Sequence, residues 1–303
     1  MTLTNRRVFI ASITCLLALA AWQSNAGAAS ASCPDVSDSS SIENPASSMC
    51  PKHAKCVSTN GLVNIDGADG STCDAVSTGG KASASANGKG SDASANVDDV
   101  STATSHAKSD GDSSARATLG GDATATATTS GSASAEAAEG KATAKASGDG
   151  SASSSNTGSG SATATAGSDG SASAENISTT GTAKATASDD GSASSESDGN
   201  CHATTNAKQG GSASSSCEDN GSNATADAVQ GSADAEALMN ACKVQATAKG
   251  IGSSATAQCN LNGSVVTVTA TGGGEAEGSD FASPMCKPNG GTAKVRSPEG
   301  NCG

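Results

Sequence analysis

A short repeat dominates the sequence from about residue 79 onward. A glycine recurs roughly every ten residues, as at Gly131, Gly140, Gly150 and Gly160, and most of these glycines precede a run in which alanine alternates with a polar residue. Period-two alternation over five or six residues, bounded by Asp-Gly, Gly-Gly or Asn-Gly, predicts short β-strands joined by turns. Because the period is fixed, the sequence predicts a solenoid whose successive repeats stack on one another.

The polar residues of these runs fall into two classes that alternate along the chain. One set of runs carries Thr and Lys, as in residues 161–166, and the intervening set carries Ser and acids, as in residues 171–176. This longer period of about 20 residues indicates a coil of two strands with alanine on the inner face. We therefore expect an all-β fold, a flat two-sheet parallel β-solenoid with about 20 residues per coil and a core of Ala, Ser and Cys.

The composition excludes a conventional core. The 303 residues include only three aromatic ones, Phe9, Trp22 and Phe281, and no tyrosine. An ordinary enzyme of this size buries bulky and aromatic side chains, so we expect no enzymatic activity and assign no catalytic residue. All six prolines lie outside residues 52–283, as expected for a segment whose backbone N–H groups form a ladder. A disordered chain, which Gly, Ser and Ala favour, is the alternative.

The N-terminal residues have the layout of a secretory signal. They contain no acid, two arginines precede an apolar run from Val8 to Trp22, and small residues follow at 26–28. The arginine pair resembles a bacterial twin-arginine export motif, with general export as the alternative. We expect residues 1–28 to be a signal peptide, and the mature protein to be secreted to the bacterial periplasm or the exterior, with no transmembrane segment after cleavage.

Ten cysteines follow the signal, and their spacing is regular. Taken in order, they predict disulfides between partners 17, 17, 16, 17 and 16 residues apart: Cys33–Cys50, Cys56–Cys73, Cys201–Cys217, Cys242–Cys259 and Cys286–Cys302. Export favours disulfides over a zinc site, for which His53 and Cys56 are the best fragment. In a two-strand coil the start of one strand faces the end of the next, so the third and fourth pairs would each lie inside the core and span one coil.

The two ends hold most of the remaining bulky residues and the other cysteine pairs. Residues 29–78 contain two pairs, and residues 276–303 contain one pair together with Phe281. Solenoids need ends that cover the open edges of their sheets. We therefore expect a disulfide-bonded N-terminal cap over 29–78, the repeat solenoid over 79–275, and a disulfide-bonded C-terminal cap over 276–303.

The Thr-bearing strands provide the most specific functional hypothesis. Stacked Thr-x-Thr rows would form a lattice of hydroxyl and methyl groups with spacings of about 6.6 Å along a strand and about 4.8 Å between strands. The candidate binding face consists of Thr124, Thr126, Thr128, Thr143, Thr163, Thr165, Thr182, Thr186, Thr204 and Thr225. The rows resemble those of insect-type β-solenoid antifreeze proteins, and the resemblance implies ice binding through this face. An ice-binding plane should be flat and uncharged, and four lysines depart from that pattern: Lys141, Lys145, Lys184 and Lys243.

These features favour a non-enzymatic secreted protein with a structural or surface-interaction role. Ice binding is the first alternative, followed by a functional amyloid or calcium binding by stacked Asp-Gly turns at 149–150, 169–170 and 190–191. A formal net charge of −13 and the lack of aromatics argue against a nucleic-acid partner. We expect no cofactor and no bound metal, a monomeric chain, and ice or an extracellular surface as the partner.

Overall fold

A computed structural model defines the fold as a stack of short β-strands. It describes residues 48–50, 53–58, 63–67, 72–77, 81–87, 89–98, 102–177, 180–198, 202–218, 223–237, 243–259, 265–279, 284–289, 292–297 and 300–302. The expected signal peptide lies outside these residues. Within the described part of the chain, no helix is long and apolar enough to span a bilayer.

The strands belong to two sheets, which alternate along the chain. The odd-numbered strands form a 13-stranded sheet, here called the Thr sheet: β1 (Ser48–Cys50), β3 (Val63–Gly67), β5 (Ala82–Asn87), β7 (Thr102–Lys108), β9 (Asp122–Ala127), β11 (Lys141–Ala146), β13 (Gly160–Ala166), β15 (Gly181–Ala187), β17 (His202–Ala207), β19 (Asn223–Val229), β21 (Lys243–Lys249), β23 (Val265–Thr271) and β25 (Pro284–Asn289). The even-numbered strands and β27 form a 14-stranded sheet, here called the Ser sheet: β2 (His53–Ser58), β4 (Thr72–Ser77), β6 (Asp92–Val97), β8 (Ser113–Ala117), β10 (Ala133–Ala137), β12 (Ala152–Asn156), β14 (Ser171–Ile177), β16 (Ser192–Asp198), β18 (Ser212–Cys217), β20 (Ser232–Ala237), β22 (Ser254–Cys259), β24 (Glu275–Ser279), β26 (Thr292–Ser297) and β27 (Gly300–Cys302).

Each strand from β1 to β24 pairs in parallel with the strand two positions further along the chain. In the Thr sheet, Thr143 lies opposite Thr124 on one side and opposite Thr163 on the other, so neighbouring coils are related by shifts of 19 and 20 residues. Equivalent outward positions therefore stack in columns, at the roughly 4.8 Å spacing of neighbouring strands. The prediction of an all-β, two-sheet parallel solenoid with about 20 residues per coil is confirmed.

Alanine fills most of the interior. On β13, for example, Ala162, Ala164 and Ala166 are at most 1% exposed, and the same alternation of buried and outward positions recurs on strand after strand. Larger apolar side chains enter the core near the C-terminal end, where Val244, Val266 and Val268 are buried. A buried methylene contributes only about 0.8 kcal/mol, so the stack relies on many small contacts together with the backbone ladders.

Two buried asparagines satisfy backbone groups where β12 and β14 end. The Asn156 side-chain amide donates a hydrogen bond to the Gly140 carbonyl oxygen (2.6 Å), and its Oδ1 accepts one from the Gly158 N–H (3.0 Å). One coil later, the Asn176 amide donates to the Gly160 carbonyl oxygen (3.2 Å). The two asparagines lie opposite each other in register. Each asparagine thereby links the end of a Ser-sheet strand to the beginning of the preceding Thr-sheet strand. Its side-chain amide has the hydrogen-bond partner that a buried polar group requires.

Glycines form a second column at the edge where the chain passes from the Thr sheet to the Ser sheet, here called the first edge. Gly111 lies against the backbone carbonyl of Ser91, and each later glycine lies against that of the preceding member of the column: Gly111, Gly131, Gly150, Gly170, Gly191, Gly211 and Gly231. A Cβ on Gly170 would overlap the Gly150 carbonyl oxygen, so this column requires glycine because backbone approaches backbone. The sequence indicated turns here but not this close approach.

The ladders continue through both regions that were expected to be disulfide-bonded caps. At the N-terminal end β1 pairs with β3, and β2 with β4, in the same parallel sense as the rest of the stack. At the C-terminal end β24 pairs with β26, and β27 adds an antiparallel strand that ends the Ser sheet. The terminal regions thus contribute strands to the same stack, and the disulfide bonding of the caps stays a prediction.

The glycine column supplies a direct test of the packing. Gly170→Ala should lower the free energy of unfolding by about 1–3 kcal/mol, since the new methyl group meets backbone that cannot rotate away. Gly167→Ala, three residues earlier, is the matched control. Its Cβ would find its nearest atom, the Ser147 Cα, at 3.6 Å, an ordinary contact, so its effect should stay within about 1 kcal/mol. Thermal and urea denaturation measure both, and equal stability of the two variants would contradict the packing.

Candidate binding faces

The outward side chains of the Thr sheet form two central columns. The first runs through Ser83, Thr104, Thr124, Thr143, Thr163, Lys184, Thr204, Thr225, Gln245 and Thr267. The second runs through Ser85, His106, Thr126, Lys145, Thr165, Thr186, Asn206, Asp227, Thr247 and Thr269. Eight of the ten threonines predicted as a binding face lie in these columns.

The other two predicted threonines lie at the margins of the sheet. Thr182 is at the beginning of β15, in register with Ser161 and His202. Thr128 follows the last residue of β9, and its backbone N–H donates to the Ala107 carbonyl oxygen (3.0 Å). Both lie outside the central columns because they are at strand ends. The alternating sequence does not show where a strand ends, so it could not separate these two threonines from the others.

The lysines divide in the same way. Lys141 and Lys243 begin their strands and lie outside the central columns, whereas Lys145 and Lys184 interrupt them. All four lysines lie on the Thr sheet, as predicted, but only two of them interrupt its central columns. Four further interruptions were not predicted: Gln245 in the first column and His106, Asn206 and Asp227 in the second.

The uninterrupted Thr lattice is small. Threonine occupies both columns on only three strands of the described Thr sheet, β9, β13 and β23. The longest run within one column is Thr104, Thr124, Thr143 and Thr163, which covers about 14 Å at the usual strand spacing. These threonines are partly buried.

The Ser sheet presents a more exposed and more acidic surface. Its outward positions are mostly serine with carboxylates at Glu136, Glu175, Glu196 and Glu236. The Arg116 guanidinium lies 3.4 Å from the Glu136 carboxylate on the neighbouring strand, and both side chains are at least half exposed. An exposed pair of this kind contributes about 0–1 kcal/mol, so it adds little to the stability of the stack.

Like charges meet further along the same column. Glu175 and Glu196 lie directly opposite each other on β14 and β16. Burial raises the pKa of the Glu196 carboxyl above its ordinary value, and the nearby carboxylates of Asp198, Glu175 and Glu218 raise it further, in that order. On the Thr sheet, burial lowers the pKa of His106, with a smaller contribution from the Lys108 charge. His106 therefore favours its neutral form.

Several aspartates bind backbone N–H groups of the next coil. Asp92 Oδ1 accepts from the Asp112 N–H (3.2 Å), and Asp110 Oδ1 accepts from the Ser130 N–H (3.3 Å). Asp112 Oδ1 accepts from both the N–H (3.1 Å) and the hydroxyl (2.6 Å) of Ser132. These carboxylates act as turn acceptors that join neighbouring coils.

The aspartates proposed as calcium ligands lie on the first edge. Asp149, Asp169 and Asp190 are exposed, and each precedes a successive member of the glycine column. Among the residues that the structure describes, no group of three or more His, Cys, Asp or Glu side chains is placed to hold a metal ion.

Two of the predicted disulfide cysteines are buried at strand ends. Cys217 ends β18 and Cys259 ends β22, and both side chains are at most 2% exposed. The register places Ala237 between them, so they are two coils and roughly 9.6 Å apart, too far to bond each other. Their predicted partners, Cys201 and Cys242, lie outside the described residues, as does Cys33. The sulfur of Cys217 is 3.4 Å from the Asn223 carbonyl oxygen, so the end of β18 does face the start of the next strand.

The remaining predicted cysteine pairs lie towards the ends of the stack. Cys56 is on β2 opposite Ala75, whereas Cys73 is on β4 opposite Ala54. This two-residue offset corresponds to a Cα–Cα distance of roughly 8 Å, longer than the usual disulfide, so the Cys56–Cys73 bond would need a local shift. Cys50, Cys286 and Cys302 are on β1, β25 and β27. All five pairings stay predictions.

The fold and its faces define a class of protein: a two-sheet parallel β-solenoid with chemically different outer surfaces. No protein-family model matches the chain, and neither a curated protein nor a solved structure is detectably similar to it. The resemblance to antifreeze proteins therefore extends to the architecture alone.

Disulfide mapping tests the cysteine geometry. Digestion of the oxidised protein under non-reducing conditions should yield peptides linked through Cys201–Cys217 and Cys242–Cys259, because each pair would join the start of one strand to the end of the next. Mass spectrometry before and after reduction identifies them. Recovery of Cys217 or Cys259 linked to any other cysteine would contradict the coil geometry.

The like-charge contact on the Ser sheet predicts a pH-dependent stability effect. A carboxyl whose pKa is raised by folding destabilises the folded protein when it is ionised. This destabilisation vanishes as the pH falls below 4.5, the ordinary pKa of a glutamate carboxyl. Glu196→Gln should therefore raise the free energy of unfolding at pH 7 by about 0.2–1 kcal/mol and have no effect near pH 4. Glu136→Gln, which removes a carboxylate beside Arg116, is the control and should not stabilise at pH 7.

Proposed function

We propose that the protein is a non-enzymatic, secreted structural protein that interacts with extended surfaces through its flat faces. The observation that carries this proposal is the register. Outward positions stack in columns at about 4.8 Å from coil to coil, so an extended partner would meet a regular row of polar side chains along one line. Many individually weak contacts made at once give strong overall binding without a deep pocket.

The energetics of the stack support the same role. Parallel ladders join each coil to the next, and the aspartate and asparagine contacts add side-chain links between coils. Each coil contacts only its neighbours along the axis, so stability sums over many similar units. A solenoid of this kind holds its outward side chains in fixed positions along its axis. This favours binding to a partner whose own surface repeats along one direction.

Cell fractionation tests the proposal. In cells that produce the full chain, the protein should be exported and retained at the cell exterior, and a wash with 1 M NaCl should release most of it, because the Ser sheet carries exposed carboxylates whose interactions salt screens. A variant with Glu175, Glu196 and Glu236 changed to Gln should be retained less. Accumulation inside the cell, or complete release into the medium at low salt, would contradict the proposal.

Ice binding through the Thr sheet is a second candidate, and the in-register threonines of β9 and β13 favour it. Their hydroxyl and methyl groups form the only two-column Thr rows within the described residues before β23. The charges at Lys145 and Lys184 lie next to these rows and limit the area of a neutral plane.

An ice recrystallisation assay separates the two candidates. If the Thr sheet binds ice, the wild-type protein should inhibit recrystallisation, and the Thr126→Leu/Thr165→Leu variant should lose most of that inhibition. The control Ser153→Leu/Ser173→Leu carries the same change on the Ser sheet and should keep it. A wild-type protein without inhibition would end the ice-binding hypothesis and leave the structural one.

A further inference from the structure

The charged residues of the strands are sorted by face. From β4 to β24 the Ser sheet carries ten acids and one arginine, a formal charge of −9: Asp74, Asp92, Arg116, Glu136, Glu175, Glu196, Asp198, Asp234, Glu236, Glu275 and Glu277. From β5 to β23 the Thr sheet carries six lysines and two acids, a formal charge of +4: Lys108, Asp122, Lys141, Lys145, Lys184, Asp227, Lys243 and Lys249. One surface of the solenoid is therefore strongly anionic and the opposite surface is cationic.

The charges also match coil by coil, where a coil is a Ser-sheet strand and the Thr-sheet strand that follows it. Of the ten coils from β4/β5 to β22/β23, five carry opposite charges on their two faces, two carry none, three carry charge on one face, and none carries like charges. The β8/β9 coil is the most informative. It is the only one of these ten with a cation on the Ser sheet, Arg116, and it has an acid, Asp122, on the Thr sheet.

Opposite charges on the two faces of a coil also lie near the same edge of that coil. Strands of the two sheets run in opposite senses, so the last residues of a Ser-sheet strand and the first residues of the next Thr-sheet strand share one edge. Glu236 and Lys243 lie at this edge on opposite faces, as do Arg116 and Asp122. At the first edge, Asp92 begins β6 and Lys108 ends β7.

We propose that the protein stacks on further copies of itself, with the Thr sheet of one copy packed against the Ser sheet of the next and with equivalent coils facing each other. A simple translation perpendicular to the sheets produces this arrangement. It brings Lys243 opposite Glu236 of the neighbouring copy, and Asp122 opposite Arg116. Because both faces belong to the same coils, their spacings are identical, and each of the five coils with opposite charges meets its complement in the neighbouring copy.

The available area suits a specific interface. Ten coils at about 4.8 Å, each presenting about six residues at roughly 3.3 Å, give a face of about 900 Å². Each partner in an interface of standard size buries about 800 Å². Because the two contacting faces differ, the interface does not close on itself, and copies add to either side of an open stack. A stack of copies differs from the monomer that the sequence leads us to expect. The proposal rests on the proposed structural role, because it names a second copy of the chain as the partner that the same two faces bind.

A charge swap across two coils tests the proposal. Variant A is Lys184→Glu/Lys243→Glu on the Thr sheet, and variant B is Glu175→Lys/Glu236→Lys on the Ser sheet. In a stack of variant A alone the altered positions would oppose acid to acid, and in a stack of variant B alone they would oppose lysine to lysine. Mixing A with B restores opposite charges at every altered position.

Sedimentation velocity of the purified exported protein provides the measurement. At 100 mM NaCl the wild type should show a weight-average mass at least twice that of the monomer, falling to the monomer value in 1 M NaCl. Variants A and B alone should sediment as monomers, and an equimolar mixture should recover the assembly. The control Lys89→Glu/Lys208→Glu makes the same change in net charge as variant A at exposed turn and loop positions, and should assemble like the wild type. Circular dichroism confirms that each variant is folded.

Three results would overturn the proposal: a monomeric wild type at 100 mM NaCl, assembly of A or B alone, or no assembly in their mixture. A monomeric wild type would mean that the matched charges only balance each coil locally. If that monomer were still retained at the cell exterior, stacking would be refuted and the structural role would stand.

Discussion

The close packing of two sheets over an interior of alanine side chains is the constraint on which the rest of the structure depends. Strand after strand turns alanines inward, and almost every one of them is sealed from solvent. An interior this thin gains little apolar free energy from any one residue. The stack therefore depends on repetition, since each added coil brings one more set of ladder hydrogen bonds and one more layer of methyl contacts.

The same constraint explains the two columns that line the turns. Glycines at the first edge let one backbone lie directly on the next, as with Gly170 over Gly150, and buried asparagines tie the opposite turns to the strands. Neither column involves the outward side chains. The outward side chains can therefore vary without disturbing the interior. For this reason the same repeating interior can support two faces of opposite charge.

The sequence predicted the regular parts of the fold, because a period of two and a period of about 20 residues leave clear signals. It also predicted which residues share the Thr sheet. It did not locate strand ends, so it did not distinguish Thr128, Thr182 and two lysines, which lie outside the central columns, from the residues within them. The glycine column was interpreted only as turns, since close approach of two backbones in different coils is invisible in one repeat. The coil-by-coil charge match needed the register, which fixes which strands share a coil.

Hydrogen exchange resolved to single amides tests the central claim most directly, because it reads the ladder of every coil at once. For the oxidised protein, the account predicts protected amides across the strands from β5 to β23, interrupted by fast-exchanging turns about every ten residues, with the strongest protection in the middle of the stack. Uniformly fast exchange over this segment, or protection confined to the ends, would contradict an in-register solenoid with an alanine interior.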